Sequence, residues 1–476
     1  KHKHQVVTAA SHRAAAEDIV SLGNVSAASV WTNCTNLSFN KFLNGFDPKS
    51  RMHKTMLTVL ATIRDAIEKQ NGTESETEYF AGLMIALNCV DSEEKLTATL
   101  ALIQMVLKHV PAPVLKLKFN ETTSAMMKIL NERVNCSTPN GYLLKSIVGI
   151  LTTMLRHQDR PVWELTSVQK VFQTLLSLVL HIRPRVRKAA TFSVISICSN
   201  TTYSENDGTH VARRLAADFA IGKLNEHLTT TQDEHLNILL YILALLADTM
   251  FIFPSVSHTK RACEAILSHM TLGNVLVVNG ALQCFYSFFL RRPTSSVLSA
   301  ELNAQLLNAL YDYQPNINDE QPLNAWCIAM KEGLLSLHNL DASLSHLHLL
   351  KFVKIALGCL QSDSAQVHAC ICNAIKALFD TIVRCQSEQE EEGKSNNVNQ
   401  YNDVSMISNE CLQKLFAELT TSLNYQLSHA WLQVIPMLSN LFINTDTEYE
   451  PFAPIMQRLA ILRESNDPEL NKTIDT

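Results

Sequence analysis

The feature that most constrains this chain is a rhythm. Helix-length segments, each carrying an apolar stripe at a period near 3.6, follow one another with connections of only a few residues. RMHKTMLTVLATIRDAIEKQ sets the pattern: Met52, Met56, Val59, Leu60, Ile63 and Ile67 fall near one stripe, and Asn71 with Gly72 ends it. Ser75 then precedes Glu76 and Glu78, acidic residues suited to a helix's first turn. Ser92 opens the next segment, and Pro111 and Pro113 stop it. Downstream the same reading places helices at 142–157, 165–180, 184–199, 208–224, 231–250, 257–268, 273–290, 298–312, 320–337, 343–359, 363–381, 406–426 and 428–442.

Composition agrees with this reading. Among 476 residues there are 13 Gly and 14 Pro, fewer breakers than long sheets and their turns demand. The chain is too long for one compact core. It is 46% hydrophobic and 18% charged, with a formal net charge of -5, so its whole surface is a poor nonspecific nucleic-acid binder. Cysteines such as Cys198 and Cys284 sit in apolar runs and read as buried free thiols. The most apolar stretch, Ile238 to Phe253, is interrupted by Asp248 and is short for a membrane span, so no membrane partner is expected.

The segments also repeat. IRPRVRKAATFSVISIC starts with Pro184 in a first helical turn. Val186, Ala189 and Ala190 form its contact side, and Phe192, Ile195 and Ile197 add bulk around that side. Related patterns recur with Val278 and Ala281, and with Val367 and Cys370. The three valines are 92 and then 89 residues apart, the interval of two repeats of about 45 residues. The expected fold is therefore all-α: an α-solenoid of the HEAT or armadillo type, a right-handed superhelix. Its expected organisation is an extended capping segment at 1–48, packed locally through Phe39, Phe42 and Phe46, then repeats over 49–385. An acidic and polar disordered insertion follows at 386–405, with further repeats over 406–476.

Motifs that carry chemistry are missing. The chain has no phosphate-binding loop, dinucleotide fingerprint, H-E-x-x-H helix or G-x-S-x-G elbow. Cys370 and Cys372 lack a second thiol pair at zinc spacing, and His338, His346 and His348 read as helix-surface and loop residues. No cofactor, metal or small-molecule substrate is expected, and no enzyme activity. What remains is surface. Arg183, Arg185, Arg187 and Lys188 cluster, with Arg156 and Arg160 about a repeat earlier; stacked repeats would align them into a stripe for phosphates or acidic peptides. Arg213 and Arg214 follow, and Lys116, Lys118, Arg291 and Arg292 offer a second, weaker patch. The loop YDYQPNINDEQP, with Tyr311, Tyr313 and Asp319, leads into a helix containing Trp326. It serves either as a docking point or as a lock between repeats, with Asp319 or Asn318 capping the helix.

At these segments the chain resembles a known family. LSAELNAQLLNALYDYQPNINDEQPLNAW at 298–326 and TESETEYFAGLM at 73–84 are similar to the ribosomal-RNA-processing protein twelve family of eukaryotes. So are NCTNLSF at 33–39, HVPAPVLKLKF at 109–119, ILTTMLRHQD at 150–159 and IRPRVRKAA at 182–190. Where the family's leading Asp is usual in the NCTNLSF motif, this chain has Thr32 and Asn33. The resemblance runs through nearly the whole chain and implies that it is the N-terminal portion of a much longer protein. It further implies a non-enzymatic nucleolar scaffold that binds early and late precursors of the small ribosomal subunit. That role would support pre-rRNA processing and nuclear export, with some shuttling to the cytoplasm. The implied partners are pre-ribosomal proteins and pre-rRNA, and the Ran system. The alternative role is a transport receptor of the importin or exportin kind.

Overall fold

The computed structural model describes residues 36–90, 92–134, 140–199, 210–226, 233–362, 364–383, 409–423, 428–443, 452–464 and 467–476. Most of the expected capping segment, the whole 386–405 insertion and the threonine-rich start before Asp233 lie outside these residues. The backbone packs as two units, 1–212 and 213–476. Among the described residues there is no strand; every regular element is helical.

The first unit contains α1 (Asn40–Asn44), α2 (Arg51–Lys69), α3 (Glu76–Asn88), α4 (Glu93–Val106), α5 (Ala112–Leu117), α6 (Phe119–Val134), α7 (Gly141–Arg156), α8 (Thr166–Leu178) and α9 (Pro184–Cys198). Helices α2, α4, α7 and α9 form one row, each packed on the next. Their hairpin partners α3, α6 and α8 form a second layer against them. The stripe on α2 is buried at Met56, Leu60, Ile63 and Ile67, as its period requires. Each such side chain contributes roughly 1.5–3 kcal/mol of transfer free energy. The Phe39 ring meets Tyr79 edge-on at 5.1 Å, and Phe42 meets Phe46 at 6.2 Å, so the start of the described chain does pack through these rings.

Local signals explain the joints. Ser75 closes a capping box: its hydroxyl accepts from the Glu78 amide, and the Glu78 carboxylate accepts from the Ser75 amide at 2.8 Å. Glu74, just before it, has φ of 56°. It is held by Arg64 at 3.0 Å and by the Tyr79 hydroxyl at 2.8 Å, which ties α2 to α3.

The second unit runs through α10 (Val211–Glu226), which begins at the division, and then α11 (Asp233–Thr249), α12 (Val256–Met270), α13 (Val275–Leu290), α14 (Ala300–Asp312), α15 (Glu320–Leu340), α16 (Ala342–Gly358), α17 (Ala365–Leu378), α18 (Asn409–Ser422), α19 (Ser428–Ile443), α20 (Phe452–Arg463) and α21 (Pro468–Asp475). The odd-numbered helices from α11 to α21 make one row and the even-numbered ones from α12 to α20 the other. Asp341 both ends α15 and caps α16, where its carboxylate accepts from the Leu344 amide at 3.0 Å. By length and composition the stretches His235–Ile252 and Ala342–Gln361 could each cross a membrane, but here α11 packs on α13, and α16 touches α14, α15, α17 and α18. This two-row, helix-on-helix packing is the HEAT or armadillo arrangement.

The repeat is written in side-chain bonds. Asn140 reaches Thr97, Arg185 reaches Tyr142 and Lys116 reaches Asp159, each pair 43 residues apart. In the second unit Tyr313 donates to the Leu267 carbonyl 46 residues back, and Ser364 donates to Glu320 44 residues back.

Two expectations need correction. The third residues of α9, α13 and α17 are Val186, Val277 and Val367, all buried, so the valine equivalent to Val186 is Val277 rather than half-buried Val278. The true spacings are 91 and 90, more even than the pairing first read. Phe192 does not join the packed side of α9; it is 72% exposed, because the buried stripe runs through Val186, Ala190, Val194 and Ile197. The terminal run ESNDPELNKTIDT holds a helix, with the Asp467 carboxylate accepting from the Glu469 and Leu470 amides and Pro468 in the first position.

Candidate partner-binding surface

The basic cluster sits where α9 begins. Arg183 is the residue before the helix, Pro184 is its first, and the first turn contains no acidic residue and no side-chain cap. The amide end of the helix dipole is therefore surrounded by cations instead of being met by a carboxylate. Arg185 and Lys188 are exposed. Arg187 donates to the His181 carbonyl at 3.0 Å, which folds its guanidinium against the turn. His181 shows the resulting field: burial, then Arg183 and Arg187, lower its pKa.

Both outer arginines reach to the start of α7. Arg183 Nη1 lies 3.4 Å from where a Cβ on Gly141 would stand, so its guanidinium rests against the start of α7. The Arg185 guanidinium lies 5.7 Å from the Tyr142 ring centre and donates to its hydroxyl at 3.0 Å. Tyr142 is 66% exposed, and Lys145 follows it on the same exposed stripe of α7. From residue 140 to residue 199 there are eight basic side chains and two acidic ones, Asp159 and Glu164: a formal net charge of +6 in a chain of -5. Lys116 takes up Asp159 at 2.7 Å.

Not all the candidate cations meet. Arg156 is the last residue of α7 and Tyr142 its second, so the helix separates Arg156 from the Arg185 contact by about 20 Å. Arg160 lies in the short 3-10 turn beyond. The α9 cluster and the Arg156–Arg160 pair thus occupy different ends of α7. The second patch is already satisfied: Lys118 pairs with Glu121, Arg292 with Glu332, and the Arg291 guanidinium sits 4.9 Å above the Phe251 ring. Sequence reading missed Tyr142 and Lys145. The signal that finds Tyr142 is its place 43 residues before Arg185, one repeat back.

The tyrosine segment turns inward. Tyr311 belongs to the last turn of α14, is buried, and donates to the His348 carbonyl at 3.0 Å. Its ring lies parallel to the His348 ring, with Lys351 Nζ 4.1 Å from its centre. Burial raises its pKa. Trp326 is 1% exposed and donates to the Leu310 carbonyl at 2.8 Å. Tyr313 bonds α12 and Gln314 bonds the Cys359 thiol at 3.2 Å. Three aromatic tips therefore bond carbonyls of neighbouring helices. Asp319 stands at the start of α15 without a side-chain capping bond, contrary to the cap expected there.

Further chemistry is sparse. His346 and His348 are buried rather than on the surface, and burial keeps both below the usual histidine pKa. Cys372 is buried, with a thiol pKa pushed up to about 12, while Cys370 is half-buried on the same helix. Among the described residues no group of three or more His, Cys, Asp or Glu could hold a metal ion.

Comparison with known proteins places this architecture. Residues 46–297 match the family described as "RRP12-like, N-terminal HEAT repeats", and residues 361–476 match "Ribosomal RNA-processing protein 12, HEAT repeats". An RRP12-like protein of Gallus gallus is 34% identical over 419 residues, covering 86% of this chain and 31% of that protein. The RRP12-like protein of Homo sapiens is 34% identical over 424 residues, with the same coverage, 86% and 31%. Ribosomal RNA-processing protein 12 of Saccharomyces cerevisiae is 25% identical over 259 residues, 49% of this chain and 20% of that protein. The chain thus spans less than a third of the length of these relatives. With HEAT-repeat matches on both sides of the chain and helices paired in two rows, the chain belongs to the RRP12-like family.

Proposed function

We propose that this chain acts in ribosome biogenesis as a non-enzymatic scaffold on precursors of the small ribosomal subunit. Membership of a family whose yeast relative is named for ribosomal RNA processing carries the reading. The local reversal of charge between 140 and 199 supports it, because a precursor particle offers phosphates and acidic segments to such a face. The work lies in pre-rRNA processing and nuclear export, and the site of action is the nucleolus. Pre-ribosomal proteins and pre-rRNA are the partners, and Arg183, Arg185, Arg187 and Lys188 form the main contact. Arg156 and Arg160 make a separate, smaller one. Tyr311, Tyr313 and Trp326 serve the repeat stack.

Recovery of precursor particles with a tagged chain tests this. Reversing Arg183, Arg185, Arg187 and Lys188 to Glu lowers recovery while the helical circular dichroism is kept. Undiminished recovery by the folded variant removes the assignment.

A further inference from the structure

We infer that the face shared by α7 and α9 is a binding site for single-stranded RNA, with Tyr142 and Phe192 as stacking platforms and Lys145, Arg185 and Lys188 as phosphate contacts. The inference deepens the reading above and rests on it for the identity of the main contact.

Two large rings stand in water on neighbouring helices: Tyr142 is 66% exposed and Phe192 72%. Helices α7 and α9 pack directly against one another. On α9, Arg185, Lys188 and Phe192 follow at steps of three and four residues, so they share one exposed stripe. Phe192 lies seven residues beyond Arg185, roughly 10 Å along the axis. The two rings are therefore separated by a run of cations rather than joined into an apolar patch.

That alternation selects the ligand. Aromatic faces among cations match the stacking surfaces and electrostatic track of single-strand binders, and the Glu93 and Glu94 carboxylates that line the hollow beside Tyr142 are already taken by Arg133 and Arg51. Neither acidic residue of this stretch competes for the cations: Lys116 holds Asp159, and Glu164 lies in the turn after α7. Arg185 fixes the Tyr142 ring through its hydroxyl, so one aromatic platform is oriented before a ligand arrives. A duplex hides its base faces and would use only the cations. An acidic peptide would likewise leave both rings unused.

Fluorescence anisotropy with a short labelled oligouridylate measures the site in the whole chain. A hairpin duplex of matched length and a polyglutamate peptide are the comparison probes. Tyr142→Ala and Phe192→Ala should each weaken oligouridylate binding about tenfold, and Phe192→Trp should restore it. Replacing Arg185 and Lys188 with Gln should reduce the salt slope by roughly 1.4. Both rings are exposed, so the urea midpoints of the ring variants should match the parent. An unchanged Kd in the two ring-to-alanine variants overturns the inference, and so does equal affinity for the duplex. Tighter binding of polyglutamate reassigns the face to an acidic polypeptide and also overturns it. The two proposals fail separately. Loss of particle recovery on charge reversal, with ring variants that bind oligouridylate normally, sinks this inference and keeps the scaffold reading. Ring variants that lose oligouridylate, with full particle recovery after charge reversal, do the opposite.

Discussion

Arg292 Nη2 and Glu332 Oε2 are 2.7 Å apart, joining the second residue past α13 to the middle of α15. The Glu332 side chain is 6% exposed and also meets Lys331 at 2.8 Å. Arg292 bonds the Phe289 and Glu332 carbonyls as well and holds φ at 47°, a conformation that favours glycine. Truncating Glu332 to Ala leaves a guanidinium with no carboxylate at a helix junction. The expected loss is about 2 kcal/mol, below the roughly 3–5 kcal/mol of a fully buried pair, since 31% of the Arg292 side chain stays in water. Arg292→Gly should lose less than Arg292→Ala, because glycine relieves the backbone by about 1 kcal/mol. Urea midpoints of the three variants give the order directly.

Two helical glycines should respond in opposite directions. A Cβ at Gly333 would stand 2.7 Å from Leu307 Cδ2 and 3.2 Å from Phe289 Cε2, between α14 and α13. Gly333→Ala should destabilise by about 1–3 kcal/mol despite its better helix propensity. Around Gly222 nothing lies within 4 Å of that position. Gly222→Ala should stabilise by about 1 kcal/mol. Thermal melts that move both midpoints the same way would contradict this packing.

These sites also bound what a sequence can reveal. The helices were legible because each buries a stripe of fixed period, and Met56, Leu60, Ile63 and Ile67 are that stripe. The repeat was legible to within one residue: adjacent Val277 and Val278 are indistinguishable until the helix start at Val275 is known. Phe192 was misjudged because a large ring at the edge of a stripe reads as core until its neighbour's position excludes it. The basic cluster was legible, since its charges are consecutive in sequence. Tyr142 was not, since its partner lies one repeat away. For the same reason the inward turn of Tyr311 required sight of the His348 carbonyl.

Acid should loosen the α2–α3 joint. Hydrogen bonds from the Ser75 amide first, then from its hydroxyl and the Thr73 amide, hold the Glu78 pKa below the usual glutamate value. A depressed carboxylate contributes stability that is complete above the ordinary glutamate pKa and is lost as pH falls through the lowered folded-state value. Glu78→Gln removes that titration. The gap in urea midpoint between parent and variant should shrink as pH drops through this window; a constant gap contradicts the capping box.

Thiol chemistry should separate outside from inside. Cys89 is exposed, whereas Cys198, Cys263 and Cys284 are buried. Burial raises the Cys263 and Cys284 pKa values, which leaves both thiols protonated near neutrality. Iodoacetamide at neutral pH should modify Cys89 in the native chain and the three buried thiols only in urea. Mass spectrometry of the digested protein reads the order, and native labelling of Cys284 at the Cys89 rate would be inconsistent with this core.

The bonds spaced one repeat apart, such as Tyr313 to Leu267 and Ser364 to Glu320, have a mechanical consequence. Within a unit each of these bonds spans a single junction between neighbouring helices of a row. A pull on the ends of such a row loads its junctions in series. Extension is then the sum of many small slips, the weakest junction opens first, and its neighbours remain closed. A unit built this way yields like a spring under tension.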